Sequence, residues 1–243
     1  MTTSRDDRTN QHPTRVAPPA RPGWPEIIAG TLGALVALMA LPLFDLVGLD
    51  GDPVAHGLVL TAWSGVAGLV GFAVAALIRL RSWSAFSVRR TTWRWVGVGV
   101  VAGIVAFLLK GFLNAGIIAV TGFSSDPQGD YYDAAGGGLL PLILTFVFLS
   151  VLTPIGEELF FRGVVTNALL RYGPVIGVVS SSVFFALVHG INMALPSALV
   201  VGIIAAEAMR RSGSIWPAVI VHAVNNLGLP LLVLLTGAAG PAA

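Results

Sequence analysis

Two adjacent carboxylates and an arginine, in the order Glu157-Glu158-Leu159-Phe160-Phe161-Arg162, interrupt a run that is otherwise apolar from Leu139 to Leu170. A charge at a bilayer centre costs roughly 2.5–3.5 kcal/mol on insertion scales, so a chain that keeps such groups there generally uses them. Two further polar clusters follow, Phe185-Ala186-Leu187-Val188-His189 and His222-Ala223-Val224-Asn225-Asn226. A carboxylate in a low-dielectric pocket can act as general base toward water while an imidazole holds that water. A second imidazole and an amide can donate hydrogen bonds to an oxyanion. That set hydrolyses an amide by direct attack of water. The same Glu157, His189 and His222 could instead hold Zn2+ or another divalent metal that activates the water, and the residue types leave both routes open. Other routes are closed. There is no cysteine, hence no thiolate nucleophile, Cys-ligated metal or disulfide. No serine stands in a G-x-S-x-G context. Lys110, the only lysine, has no serine partner motif near it.

Helical spacing sorts these groups. Glu158 and Arg162 are at i, i+4 and can pair. Phe185 and His189, and likewise His222 and Asn226, share a helix face. Glu157 points about 100° away from Glu158, so the two carboxylates are free to take different roles. Glu157 precedes the Tyr172-Gly173 turn by about as many residues as His189 follows it, which puts both roughly 23 Å from that turn at 1.5 Å per residue. His222 and Asn226 lie roughly 14 and 20 Å from the Gly213 turn. Scattered structural polar residues have no reason to coincide in depth. Asn192 and Asn225 read as turn and packing residues, Glu207 as an interfacial partner of Arg211, and His56 and His12 as exposed.

The elements that must position these groups are membrane helices. The chain has 243 residues, 55% of them hydrophobic and 11% charged, against about 25% charged in soluble domains. The fold class is all-α, a polytopic transmembrane bundle of about seven spans. Residues 1–23 read as a disordered, Pro-rich tail rather than a signal peptide. Residues 24–138 form the N-terminal transmembrane helices, with spans near 24–47, 57–80 and 95–120, Asp45 falling at the interface. Residues 139–237 hold the polar clusters, and 238–243 are a small-residue tail. Between residues 79 and 95 five arginines and three tryptophans mark a loop with interfacial anchors and room for a short surface helix. Lys110 sits too deep to snorkel easily; pairing with an acid or a helix carbonyl is expected, contact with the functional cavity the alternative. Residues 121–138 read as a flexible tether. The stretch 139–170 is too long for one ordinary span, and Pro154 predicts a bend in it. Arginines at the tail, at 79–94, at 171 and at 210–211 alternate with loops that carry none. By the positive-inside rule the chain is a multi-pass integral membrane protein with a cytoplasmic N-terminus, an external C-terminus, and a site reached from the cytoplasmic side. The net charge of +2 gives no sign of nucleic acid binding.

The three clusters, in this order and spacing, resemble the CPBP family, whose pattern is E-E-x-x-x-R, F-x-x-x-H and H-x-x-x-N/D on successive membrane helices. The family takes in CAAX-processing endopeptidases and the Abi bacteriocin-processing and immunity proteins. The likeness covers about residues 140–230. It implies an intramembrane endopeptidase with a conical active-site cavity, acting on a membrane-anchored or lipid-proximal peptide. Glu157 would activate water with His189, His222 and Asn226 would stabilise the oxyanion, and Glu158 and Arg162 would support the site or hold a substrate carboxylate. Family members have been described both as metal-dependent and as glutamate-type. The competing readings are a non-enzymatic Abi-type immunity or adaptor protein and a small transporter. A transporter would favour internal repeats with paired broken helices, and residues 24–120 and 139–237 show no repeat.

Overall fold

The computed structural model describes residues 20–46, 48, 51–125 and 127–237. Most of the expected N-terminal tail with His12, Asp50, Asp126, the side chain of Asp45 and the tail at 238–243 lie outside the described residues. Every regular element among them is a helix. Helix α1 spans Trp24–Leu38 and is followed by the short α2, Pro42–Asp45. Helix α3, Pro53–Ile78, starts where the Asp52 carboxylate accepts from the backbone N–H groups of Val54 and Ala55 at 3.0 and 3.2 Å, with Pro53 as first residue. Trp83–Phe86 makes a 3-10 turn. Helix α4 runs Trp93–Thr121 and α5 Gly129–Gly136. The long helix α6 covers Leu139–Tyr172. Then come α7, Pro174–Leu187, α8, Ala194–Ser212, α9, Trp216–Asn226, and α10, Gly228–Thr236.

Five stretches are long and apolar enough to cross a membrane: Trp24–Phe44, Pro53–Ile78, Trp93–Thr121, Leu139–Tyr172 and Trp216–Thr236. Pro174–Val188 is apolar but shorter. The bundle architecture stands as expected, while a count of seven spans does not follow from length and composition. The 121–138 segment differs from the expected tether: it contains α5, whose Ala134 and Ala135 are buried.

Small residues set the packing. On α3, Gly65 and Gly68 face α6 so closely that a Cβ on Gly156 would lie 1.9 Å from the Gly65 carbonyl oxygen. On the same helix Gly71 meets Gly30 of α1, where an added Cβ would stand 2.8 Å from a backbone oxygen. In lipid, where apolar side chains gain little from meeting one another, such close backbone approach is what joins helices. Phe72, Phe86, Phe160, Phe161, Val164 and Phe185 fill the core around this seam. Large apolar side chains of α1 and α4, Val36 and Phe112 among them, face outward, as a lipid-facing surface requires.

The two ends of the bundle differ in charge. At one end the Arg79 guanidinium forks onto Glu26 at 2.9 and 3.0 Å, and Arg171 donates to the Pro22 carbonyl. The Trp24 indole donates to the Tyr172 hydroxyl at 2.9 Å, and the Ser214 hydroxyl to the Arg89 carbonyl at 2.8 Å. These bonds gather the arginine-bearing turns. Glu207 accepts from Arg210 and Arg211 there as well, at 2.7 and 2.5 Å, so its partner is a pair of arginines rather than Arg211 alone. At the other end His56, expected to be exposed, is half-buried in α3 and lies 3.7 Å from Asp130, and the Met193 N–H donates to the Ser125 carbonyl at 2.9 Å.

Candidate active site

Helix α6 departs from α-helical register on both sides of the carboxylates. Phe148–Leu152 and Leu159–Thr166 are π-helical, and Thr153–Glu158 between them is α-helical. In the first π segment the Thr153 N–H reaches back to the Phe148 carbonyl, five residues away. The next bond in that register would run from residue 154 to the Leu149 carbonyl, but proline has no N–H to give. The Asn226 amide fills the vacancy, donating to the Leu149 carbonyl at 3.0 Å. Pro154 was expected to bend the helix; what the structure shows at it is a change of hydrogen-bond register repaired from α9. The start of the motif is also tied to α3, where the Thr153 hydroxyl donates to the Thr61 carbonyl at 2.7 Å and lies 3.1 Å from the Ser64 hydroxyl. Pi-helical turns within α-helices are frequent at functional sites.

The two glutamates have separate surroundings. Glu158 is fully buried and 3.0 Å from Arg162 Nε; its other oxygen is 2.9 Å from His222 Nδ1. Arg162, 1% exposed, also donates to the Gly202 carbonyl at 3.2 Å and lies over the Phe185 ring at 4.5 Å. Neither Glu158 nor Arg162 lines the cavity, so neither is placed to hold a substrate carboxylate. Glu157 does line it, and its Oε2 has no hydrogen-bond partner among the described residues. That oxygen is 3.9 Å from His222 Nε2.

The imidazoles are oriented by their other nitrogens. His189 Nδ1 is 2.7 Å from the Phe185 carbonyl, and His222 Nδ1 faces the Glu158 carboxylate. Both partners are acceptors only, so each Nδ1 carries the hydrogen and each Nε2 is the atom left for the site. The Phe185 ring stands edge-on to both, with centroids 4.7 Å from His189 and 5.7 Å from His222. Phe185 thus orders His189 with its carbonyl, and spaces both imidazoles and Arg162 with its ring. In α9 the Asn225 amide donates to Asn226 Oδ1 at 3.0 Å, and both asparagines line the cavity. Asn225, expected as a packing residue, is part of the wall.

The cavity has a volume of about 410 Å³. Glu157, His189, His222 and Asn226 share it, as the depth estimate from the turns anticipated. Lys110 of α4 lines it too, the alternative reading rather than the expected one, together with residues not foreseen: Asn114 from α4, Ser197 from α8, and Pro127, Gln128 and Tyr131 from the segment expected to be a tether. Burial, with the charges of Glu157 and Asp130, pushes the Tyr131 phenol up to about 12, so it stays a hydrogen-bond donor. The loop residues in the wall, Pro127, Gln128 and Met193, belong to the end without arginines. No residue of the arginine-bearing turns lines the cavity, which corrects the expectation that the site is reached from their side.

A metal held by Glu157, His189 and His222 requires three donors converging on one point. Among the described residues no three His, Cys, Asp or Glu side chains are so placed, although the bond from His222 Nδ1 to Glu158 leaves its Nε2 open. As arranged, Glu157, His189 and His222 do not form such a group.

Residues 139–228 match the family model described as Rce1-like, type II CAAX prenyl endopeptidase Rce1-like. That segment holds all three motifs and α6 through α9. No curated protein and no solved structure matches the chain.

Proposed function

We propose that the chain, whose residues 139–228 match the Rce1-like model, is a CPBP/CAAX-type protease that cleaves a peptide bond of a membrane-anchored substrate with Glu157 as general base. The observation that carries the reading is the division of labour between neighbours: Glu158, sealed from the cavity, neutralises Arg162 and orients His222, while Glu157 lines the cavity and keeps an oxygen with no hydrogen-bond partner among the described residues.

Water held between Glu157 and His189 Nε2 gives a proton to the Glu157 carboxylate as its oxygen attacks the scissile carbonyl carbon. The C=O π electrons move to oxygen. The oxyanion is met by hydrogen-bond donors on the opposite side, His222 and the amide of Asn226. His222 can donate there only with protons on both nitrogens, one given to Glu158 and one facing the cavity; the Glu158 carboxylate is the group that holds such an imidazolium in place. Collapse of the tetrahedral species breaks the C–N bond, and the proton on Glu157 passes to the leaving amine. The Asn226 amide retains a second hydrogen for this task beside the one on Leu149.

Purified Glu157→Gln and His189→Ala proteins should stay folded and lose cleavage of a lipid-anchored peptide by about 10²-fold or more. Cleavage at the wild-type rate in both variants would remove Glu157 and His189 from the mechanism and return the adaptor reading. A strong chelator should leave the wild-type rate unchanged; loss of activity restored by Zn2+ would put a metal in place of the direct-water route. We further propose that the arginine-bearing end, with the N-terminus, faces the cytoplasm, which the distribution of arginines supports.

A further inference from the structure

The hydrogen that Pro154 lacks has consequences that run into α9. It leaves the Leu149 carbonyl of the π segment to the Asn226 amide at 3.0 Å. A carbonyl only accepts, so the side-chain nitrogen of Asn226 must face α6 and its oxygen must face elsewhere. That oxygen takes a hydrogen bond from the Asn225 amide at 3.0 Å. Asn225 is thereby fixed in turn, nitrogen toward Asn226, and its own Oδ1 is left buried with no hydrogen-bond partner among the described residues. Ala218, Val221 and Asn225 follow at three- and four-residue steps on one face of α9; the first two are fully buried and Asn225 is 6% exposed. A buried acceptor without a donor costs the desolvation of that group, a cost that an apolar side chain of similar size avoids. A residue that only filled space on this face would not be an amide. What Asn225 does with its polar atoms is the one bond to Asn226.

One anchor does not orient a planar amide. With the bond to Leu149 alone, the Asn226 group is free to turn about that contact, because the terminal torsion of asparagine is broad. A second anchor at the opposite end fixes the plane, and with it the direction of the N–H that remains. We propose that Asn225 is a positioning residue, which holds the Asn226 amide in the plane where its second N–H meets the oxyanion. The bond also polarises the amide and strengthens that N–H as a donor, as hydrogen bonds in series do. The task of the N–H rests on the peptidase reading above; the two-point hold on Asn226 does not.

The test uses the full chain in lipid nanodiscs, a lipid-anchored peptide, and the same peptide with a phosphinate, a tetrahedral anion, in place of the scissile amide. Asn225→Leu should leave Tm unchanged or raised and KM near the wild-type value. It should lower kcat by about tenfold or more, toward the roughly 10²–10³-fold that loss of an oxyanion donor costs. Asn225→Ala, which cannot overpack, should lower kcat likewise. In an Asn226→Ala background, where nothing is left to orient, Asn225→Leu should cost nothing further. A space-filling role predicts full kcat in Asn225→Leu, or losses that add in the double variant. Binding of both peptides to Glu157→Gln protein reads the hold without turnover. Asn225→Leu should weaken binding of the phosphinate by about tenfold, leave that of the amide unchanged, and do so only where Asn226 is present. Such a loss with no cleavage by the wild type would keep the hold and discard the peptidase reading. Full kcat in Asn225→Leu, or additive losses, would overturn the hold and leave the peptidase reading standing. No cleavage by the wild type and no loss of phosphinate binding on Asn225→Leu would overturn both.

Discussion

Glu157 and Glu158 are covalent neighbours in opposite environments, one facing a cavity and one sealed between an arginine and a histidine. The consequence for substitution is unequal. Glu158→Gln removes the charge facing a guanidinium that is 1% exposed, and stranding one member of a buried pair costs about 3–5 kcal/mol. It also releases the hold on His222. Thermal denaturation in detergent should show a large fall in Tm for Glu158→Gln and little change for Glu157→Gln, although both lose activity. Equal Tm values would mean that Glu158 is not the structural member. The sequence made the Glu158–Arg162 pair legible, because an i, i+4 relation lies within one helix. It did not reveal that Glu158 also takes His222, because that bond crosses from α6 to α9 and spacing along either helix is silent about it. The ring of Phe185 was legible only as a residue on the face of His189; its contacts with Arg162 and His222 depend on how α6, α7 and α9 pack.

At the scale of the helices, the site depends on how near α3 comes to α6. With 1.9 Å between a Cβ on Gly156 and the Gly65 carbonyl oxygen, Gly156→Ala must push two backbones apart. Overpacking of this kind costs about 1–3 kcal/mol or more. It should lower Tm and reduce kcat together, since Glu157 is the next residue; a variant with wild-type Tm and activity would show that the seam yields freely. Helix boundaries followed closely from the apolar runs and turn residues: Gly173-Pro174 and Gly213 end helices where expected, with Gly173 and Gly213 at φ +107° and +69°. Hydrogen-bond register did not follow. A π turn and an α turn carry the same pattern of apolar residues over so short a distance, and the proline that suggested a bend was equally compatible with a carbonyl capped by Asn226. Helix α5 was hidden because Gly129–Gly136 is short and glycine-rich and has no apolar stripe long enough to read.

Taken whole, the molecule has one end with arginines and one without, and its functional wall lies toward the latter. The absence of cysteine makes the orientation directly measurable. With single cysteines introduced, a membrane-impermeant thiol reagent should label Asp133→Cys from outside intact cells and Arg90→Cys only after the cells are opened. The reverse pattern would invert the orientation proposed above. Within residues 24–138, legible as membrane helices, only Lys110 was offered as a contact of the cavity, and only as the alternative; Asn114 and Tyr131 were not legible there, because they come from helices whose own sequence carries no motif. Their role exists only once the bundle is assembled around the cavity. The position of that cavity has a consequence in time as well as in space. With the arginine end in the cytoplasm, a ribosomally made peptide can meet Glu157 only after its cleavable segment has crossed to the far side. Cutting would then be a late event in the life of the substrate, downstream of the crossing.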